Sequence, residues 1–342
     1  MKRALWLVVP FFFACPGVNP VGNDAGSIVN TGGGTAGGGT GGGATGGGGG
    51  SADASVDAGT DAGVADAGID AGTPDAGTDP LIIARPFAER VPVSYVPGTP
   101  TPLVVLLHGY TATAATQDAY FQLSALAQSR GFLLALPDGT RDSSAQQFWN
   151  ATNACCGFGE TVDDVAYLTA VIEDMKKRFT VDPKRIFLIG HSNGGFMSHR
   201  MACDRAGLIA GIVSLAGAVW NDASLCMPSE RVNILQVHGT IDAVIAYAGG
   251  ANVGNVYPGA ETTVQTWATK NGCTGSMLTP IGGDLDLTSS LIGDDTSRLQ
   301  FTGCPTGGSA ELWRINGGSH VPAFNSTWGD TAYTWLMAHP KP

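Results

Sequence analysis

An α/β fold with a mostly parallel central sheet is predicted by two observations. Short β-rich apolar runs alternate with helical patterns along residues 81–342. Most of those runs are also nearly unbroken Val, Ile, Leu and Phe, as a strand needs when helices cover both faces of its sheet. In chain order the predicted strands are 103–107 (Leu-Val-Val-Leu-Leu), 132–136, 185–189 (Arg-Ile-Phe-Leu-Ile), 211–215, 232–237 and 311–315. Between and after them, helices are predicted at 117–129, 161–179, 194–203, 262–270 and 330–337. Thr161-Val-Asp-Asp reads as a helix start, and Val162, Val165, Leu168, Ile172 and Met175 follow at helical spacing. Pro183, one turn past Phe179, prevents that helix from continuing. In such a sheet the loops at the carboxyl ends of the strands build the site.

The first 80 residues have a different composition. Lys2 and Arg3 precede an apolar stretch from Ala4 to Ala14, which reads as a signal peptide over 1–15. It ends Phe12-Phe13-Ala14-Cys15, similar to a bacterial lipobox, so Cys15 is the candidate lipidation site. A plain signal peptide cut nearby is the competing reading, and either places the protein outside the cytoplasm, free or lipid-anchored at the cell surface. Residues 16–80 carry Gly/Thr tracts and five Asp-Ala-Gly repeats with almost no large apolar side chain. Such a segment cannot offset its ordering entropy and reads as a disordered acidic tether. Its Asp spacing matches no calcium loop. The formal net charge is −11, and no basic stripe is present to gather phosphates, which argues against nucleic-acid binding. No apolar run reaches the roughly 18 residues of a membrane span, so membrane contact is expected only through a lipid on Cys15.

Three strand ends carry the chemistry. The run 185–189 enters Gly190-His191-Ser192-Asn193-Gly194, a Gly-x-Ser-x-Gly elbow between strand and helix that would expose a serine hydroxyl as nucleophile. A serine needs a base, and the base an orienting carboxylate, in the chain order Ser, acid, His on this kind of fold. His320, after the turn Asn316-Gly-Gly-Ser, is the candidate base, because the later His339 has no strand before it. Asp242, just past the predicted strand 232–237, is the candidate acid, ahead of Asp222 and Glu261. The developing oxyanion needs two preorganised N–H donors. Asn193 at the helix start and Tyr110 after Leu107-His108-Gly109 are the candidates, with His108 read as a structural hydrogen-bonding residue. Trp149, Phe158, Tyr247, Phe324 and Trp328 lie in loops that could form the mouth of the pocket and are candidates for substrate binding or for core packing. No Cys-x-x-Cys spacing occurs, so no metal site is predicted. Beyond Cys15, six cysteines allow fifteen pairings, and Cys203–Cys226 with Cys273–Cys304 is the working hypothesis. Adjacent Cys155 and Cys156 would bond to each other or pair elsewhere.

Together these residues resemble the exported α/β-hydrolase esterases grouped as feruloyl esterases and polyhydroxybutyrate depolymerase-like proteins. The matching pieces are Leu107-His-Gly, Trp149-Asn with Cys155-Cys-Gly, Val162-Asp-Asp-Val, Gly190-His-Ser-Asn-Gly-Gly, His238-Gly-Thr-Ile-Asp, Asn271-Gly-Cys and Gly317-Gly-Ser-His, spanning about residues 102–342. The chain departs from the common pattern at Tyr110, where Cys is frequent, and at Val321-Pro-Ala, where Thr-Trp-Pro is frequent. The resemblance implies an α/β-hydrolase fold with helices on both faces over 81–342 and cofactor-free hydrolysis of carboxylic esters. It implies Ser192, Asp242 and His320 as the triad. The expected partner is an ester substrate, polymeric or small, handled by a monomer. Plant-polysaccharide esters of the feruloyl or acetyl-xylan type are the first expectation. Polyhydroxybutyrate depolymerase, acyltransferase, peptidase and inactive surface-binding protein are the alternatives.

Overall fold

Alternate residues of the strand Thr101–Leu107 enter opposite apolar layers, which is why the run is hydrophobic throughout. Leu103, Val105 and Leu107 pack in one layer, and Val104 and Leu106 in the other. In the computed structural model, which describes residues 79–156, 160–252 and 254–342, this strand is β2 of a nine-stranded sheet. The predicted signal peptide, Cys15, nearly all of the predicted tether and Phe158 lie outside the described residues.

The sheet also contains β1 (Ala88–Arg90), β3 (Leu133–Leu136), β6 (Val181–His191), β7 (Gly211–Leu215) and β8 (Asn233–Gly239). Its remaining strands are β11 (Leu278–Pro280), β12 (Thr296–Phe301) and β13 (Ala310–Ile315). Short hairpins outside it pair β4 (Thr140–Arg141) with β5 (Gln147–Phe148), and β9 (Gly249–Asn252) with β10 (Asn255–Pro258). The sheet order is β1-β3-β2-β6-β7-β8-β13-β12-β11. The six strands from β3 to β13 run parallel, and β1, β12 and β11 add antiparallel edges.

Helices cover both faces. On one side, α4 (Asp164–Arg178), α5 (Asn193–Asp204) and α6 (Ala260–Asn271) contribute Leu168, Ile172, Phe196, Met201 and Trp267 to the core. On the other, α2 (Ala114–Phe121), α3 (Leu123–Arg130) and α7 (Trp328–Ala338) contribute Phe121, Leu123, Trp328 and Leu336. A short α1 (Pro80–Ala84) precedes them, with Asp79 accepting from Leu81 N and Pro80 at its first position, where the missing N–H costs nothing.

Each predicted strand and helix is present, with two corrections to the helices and strands that the pattern read. The single helix expected at 117–129 is two, because Gln122 turns left-handed (φ 57°) and the Asp118 carboxylate caps the second by accepting from Ser124 N. β6 begins earlier than predicted and runs through Pro183, which is accommodated because the pairing with β2 slips between Thr101↔Val181 and Leu103↔Ile186. The edge strands went unpredicted because their burial is mixed: β12 has only its terminal residues Thr296 and Phe301 buried. Cys203 is bonded to Cys226, Cys273 to Cys304, and Cys155 to its neighbour Cys156. Each of the two longer loops is worth about 3 kcal/mol by the entropy of closing a chain of that length.

Candidate active site

β6 delivers Ser192 to its carboxyl end, and α5 begins at the next residue. The turn leaves Ser192 at φ 53°, a left-handed conformation that a side chain adopts only when its surroundings impose it. Glycines make the turn feasible. A Cβ on Gly190 would lie 2.1 Å from Gly194 O, and one on Gly194 would lie 2.2 Å from Leu107 O. Ser192 Oγ is buried and has no hydrogen-bond partner within the protein.

Two neighbouring strands supply the other groups. Asp242 follows β8 and His320 follows β13, and these strands are parallel partners with Gly239 opposite Ile315. Their loops are joined by hydrogen bonds: Ile241 N–H donates to Gly318 O (3.0 Å), and the Thr240 side chain accepts from Gly317 N at Oγ1 (2.8 Å). Gly317 at φ 81° makes the tight turn that brings His320 round. His320 Nδ1 lies 2.8 Å from Asp242 Oδ2, whose other oxygen accepts from Val244 N and Ile245 N at 2.8 and 2.9 Å. His320 Nε2 is buried without a protein partner, as Ser192 Oγ is. The elbow holds His320 directly: the His191 Nε2–H donates to His320 O (3.0 Å), and the two rings lie 5.0 Å apart. Burial pushes the Asp242 carboxyl up, but hydrogen bonds from His238 and His320 outweigh it and hold the group well below the usual carboxylate range. A carboxylate that stays charged and accepts from Nδ1 leaves Nε2 of the same imidazole as the basic nitrogen.

Residues 160–271 match the family described as Phospholipase/Carboxylesterase. An acetyl xylan esterase from Aspergillus awamori has the same fold: the superposition covers 73% of this chain and 92% of that one, with a TM-score of 0.53 at 17% identity. The chain has the α/β-hydrolase fold. It is 29% identical over 242 residues to feruloyl esterase B of Piromyces equi, covering 68% of this chain and 42% of that protein. It is 32% identical over 129 residues to poly(3-hydroxyalkanoate) depolymerase C of Paucimonas lemoignei, covering 36% of this chain and 29% of that one. The chain therefore spans less than half the length of either curated relative.

Across from the elbow of this α/β-hydrolase fold, Trp149 ties two backbone segments together. The Asn193 amide pairs with the Trp149 backbone twice, accepting from its N–H (2.6 Å) and donating to its carbonyl (2.9 Å). The Trp149 indole N–H in turn donates to His108 O (3.1 Å), next to Gly109 and Tyr110. His108 itself donates from Nδ1 to Gly109 O and accepts from Gly139 N, both at 2.8 Å, a structural part rather than a free base. Trp149 is thus fully buried behind the site, and Trp328 is buried in a stack with Phe324 (ring centroids 4.0 Å apart). Neither presents a face to solvent. Phe324 and Tyr247 are only partly buried, and Tyr247 packs edge-on against His238. The Tyr110 side chain is buried, with its hydroxyl donating to Asp142, which leaves its backbone as the group of interest. The roles of Trp149, His191 and His238 were missed in the sequence. Each stood in a motif, Trp149-Asn, Gly190-His-Ser and His238-Gly-Thr-Ile-Asp, but no motif showed what the side chain holds.

Three buried histidines have a consequence for stability. Burial lowers His108 and His199 from 6.5 to about 4. Burial and the neighbouring His320 charge lower His191 to about 3. From pH 6.5 down towards 4, the unfolded chain therefore takes up three protons that the folded chain refuses, and stability falls as pH falls. Each site contributes about 1.4 kcal/mol per pH unit across that window. Asp164 and Glu311, both pushed up by burial, act in the opposite sense at lower pH. Urea unfolding should lose about 3 kcal/mol of stability between pH 6 and pH 5. Equal stabilities at the two pH values would show that these imidazoles are not buried neutral.

Proposed function

We propose that the chain is an exported serine carboxylic-ester hydrolase acting on plant-polysaccharide esters of the feruloyl or acetyl-xylan type. The observation that carries the reaction is the 2.8 Å contact of His320 Nδ1 with Asp242. It leaves His320 Nε2 unpartnered beside an elbow whose serine hydroxyl is also unpartnered. In the first step His320 Nε2 takes the Ser192 proton while Oγ attacks the ester carbonyl. The backbone N–H groups of Asn193 and Tyr110 hold the oxyanion, helped by the amino end of α5. His320 then protonates the departing alcohol, and water repeats the sequence to free the acid and Ser192. Asp242 remains a carboxylate throughout and stabilises the imidazolium.

The substrate class rests on the feruloyl esterase and acetyl xylan esterase among the similar proteins. The partly buried Phe324 and Tyr247 remain as side chains for an aromatic acyl group or a sugar chain to meet. The disulfides favour an oxidising compartment, in keeping with export. The depolymerase relative favours a second reading, in which a polyhydroxybutyrate chain occupies the same site.

The test treats the full chain with a fluorophosphonate, maps the labelled peptide, and measures hydrolysis of p-nitrophenyl acetate, methyl ferulate, acetylated xylan and polyhydroxybutyrate. Labelling of Ser192 that is blocked by substrate, with turnover of ferulate or acetylxylan, is the expected result. Turnover of polyhydroxybutyrate alone would replace the substrate class and keep the chemistry. Acyl transfer to added alcohol in preference to water would mark a transferase, and amide turnover a peptidase. A folded protein with no labelling and no turnover would end the esterase reading and leave a surface-binding role.

A further inference from the structure

The Asp242 carboxylate is approached by two imidazoles, and the triad uses only one. His238 Nε2 lies 3.4 Å from Asp242 Oδ2 and 2.8 Å from Ile245 O, in the turn whose N–H groups bind the other carboxylate oxygen. Behind His238 runs a line of buried polar groups that leads away from the site to the core of α6. Gln236 Nε2 is 3.2 Å from His238 Nδ1, Gln236 Oε1 is 2.9 Å from His199 Nε2, and the Trp267 indole nitrogen is 3.0 Å from His199 Nδ1. Trp267, His199, Gln236 and His238 are all essentially inaccessible to solvent.

Every proton in this line is dictated by a group at an end or a side that has no choice. An indole N–H can only donate, so His199 Nδ1 must accept, and the His199 proton sits on Nε2 facing Gln236 Oε1. A backbone carbonyl can only accept, and Gly217 O lies 2.8 Å from Gln236 Nε2, so the amide cannot be turned over. Its second N–H then faces His238 Nδ1, which must be bare, and the His238 proton sits on Nε2. Ile245 O demands the same proton independently. A tryptophan and a glycine carbonyl thus agree on the tautomer of a histidine that neither touches.

We infer that Trp267, His199 and Gln236 form a positioning relay that locks His238 as an Nε2–H donor and so fixes the Asp242 carboxylate and its turn for His320. The inference rests on the triad reading for its consequence, but not for its geometry. With His238 held as a donor, Asp242 meets N–H groups on both flanks. Its only favourable state is the ionised acceptor, and the His320 proton is kept on Nδ1. A flipped His238 would turn a bare nitrogen on the carboxylate and on Ile245 O, loosening the turn that carries the acid. None of the three relay side chains touches the reacting atoms, so their effect belongs in kcat and not in substrate binding.

The test is a long-range 15N–1H correlation spectrum of the 15N-histidine-labelled full chain at pH 7, followed by the kinetics of Gln236→Glu and Trp267→Phe. In the wild type, both His199 and His238 are expected as neutral Nε2–H tautomers. Gln236→Glu replaces the donating N–H by an acceptor of the same shape, so the His238 proton should move from Nε2 to Nδ1 and leave a bare nitrogen towards Asp242. kcat should then fall about 10- to 100-fold, the range for partners that orient an active imidazole from behind, with KM nearly unchanged. Trp267→Phe removes one of the two groups that fix His199 and leaves Gln236 Oε1 to hold its Nε2–H tautomer, so kcat should fall by a smaller factor. An Nδ1–H tautomer at either histidine in the wild type overturns the relay, even if a variant fails to fold. Full kcat in a folded Gln236→Glu, or a rise in KM alone, overturns its positioning role. If Ser192 is not labelled by the fluorophosphonate while the wild-type tautomers are as expected, it is the esterase reading that fails, and the relay stands as a structural element.

Discussion

Ser192→Ala is expected to slow ester hydrolysis about a million-fold, and Asp242→Asn about ten-thousand-fold, with both proteins folded. The double variant should be no slower than Ser192→Ala alone. The reason is that the three groups act as one unit: without the hydroxyl there is no proton for His320 to take, and orienting that imidazole gains nothing. Asp242→Asn is milder in structure than in chemistry. The asparagine oxygen can still accept from Val244 and Ile245 N–H, so the turn persists, but its amide N–H would face His320 Nδ1 and favour the wrong tautomer. Single-turnover release of p-nitrophenol from the three proteins is the measurement. A double variant ten-fold or more slower than Ser192→Ala, beyond scatter, would show that Asp242 acts outside the triad.

The largest stability effect is expected one residue beyond Asn193, the proposed oxyanion donor. In Gly194→Ala the added Cβ would sit 2.2 Å from Leu107 O and 2.6 Å from His108 O, both backbone atoms of the central strand end. Neither can swing aside as a side chain would. Relief requires moving β2 or unwinding the first turn of α5, at a cost of about 3 kcal/mol or more. Gly283→Ala is the matched control, because its Cβ would meet nothing within 4 Å, and it should stay within about 0.5 kcal/mol of wild type. Urea unfolding of both variants makes the comparison. Equal stabilities would mean that the elbow tolerates a shift the packing does not suggest.

The central sheet was legible in the sequence because its strands are buried on both faces, so β2, β3, β7 and the second half of β6 appear as short, largely apolar runs. The edge strands were not, since the four inner residues of β12 are all half-buried and show no period of two. The break between α2 and α3 was hidden for a different reason. It is made by the Asp118 side chain reaching Ser124, and neither residue is a helix breaker. Ser192, Asp242 and His320 could be singled out because chain order and strand ends restrict the choice to a few residues. Trp149 could not be placed: an aromatic in a loop reads equally as pocket wall or support, and only the Asn193 amide on its backbone distinguishes them. The relay behind Asp242 was equally invisible. Its members come from α5, β8 and α6, and no local spacing links Trp267 to His199 or either to Gln236.

Gly239 and Gly318 touch backbone to backbone, and their loops exchange hydrogen bonds at the ends of adjacent parallel strands. Asp242 and His320 therefore hang from one rigid bracket, although most of the chain between them lies elsewhere. That intervening stretch carries Tyr247, α6, β11 and β12, much of it on the rim and edge of the sheet. Loops there can lengthen, shorten or change their side chains while the distance from carboxylate to imidazole stays the same. A scaffold of this kind separates the part that performs a reaction from the part that selects what enters. Grafting rim segments from one ester specificity onto another is the engineering experiment for which this geometry is suited.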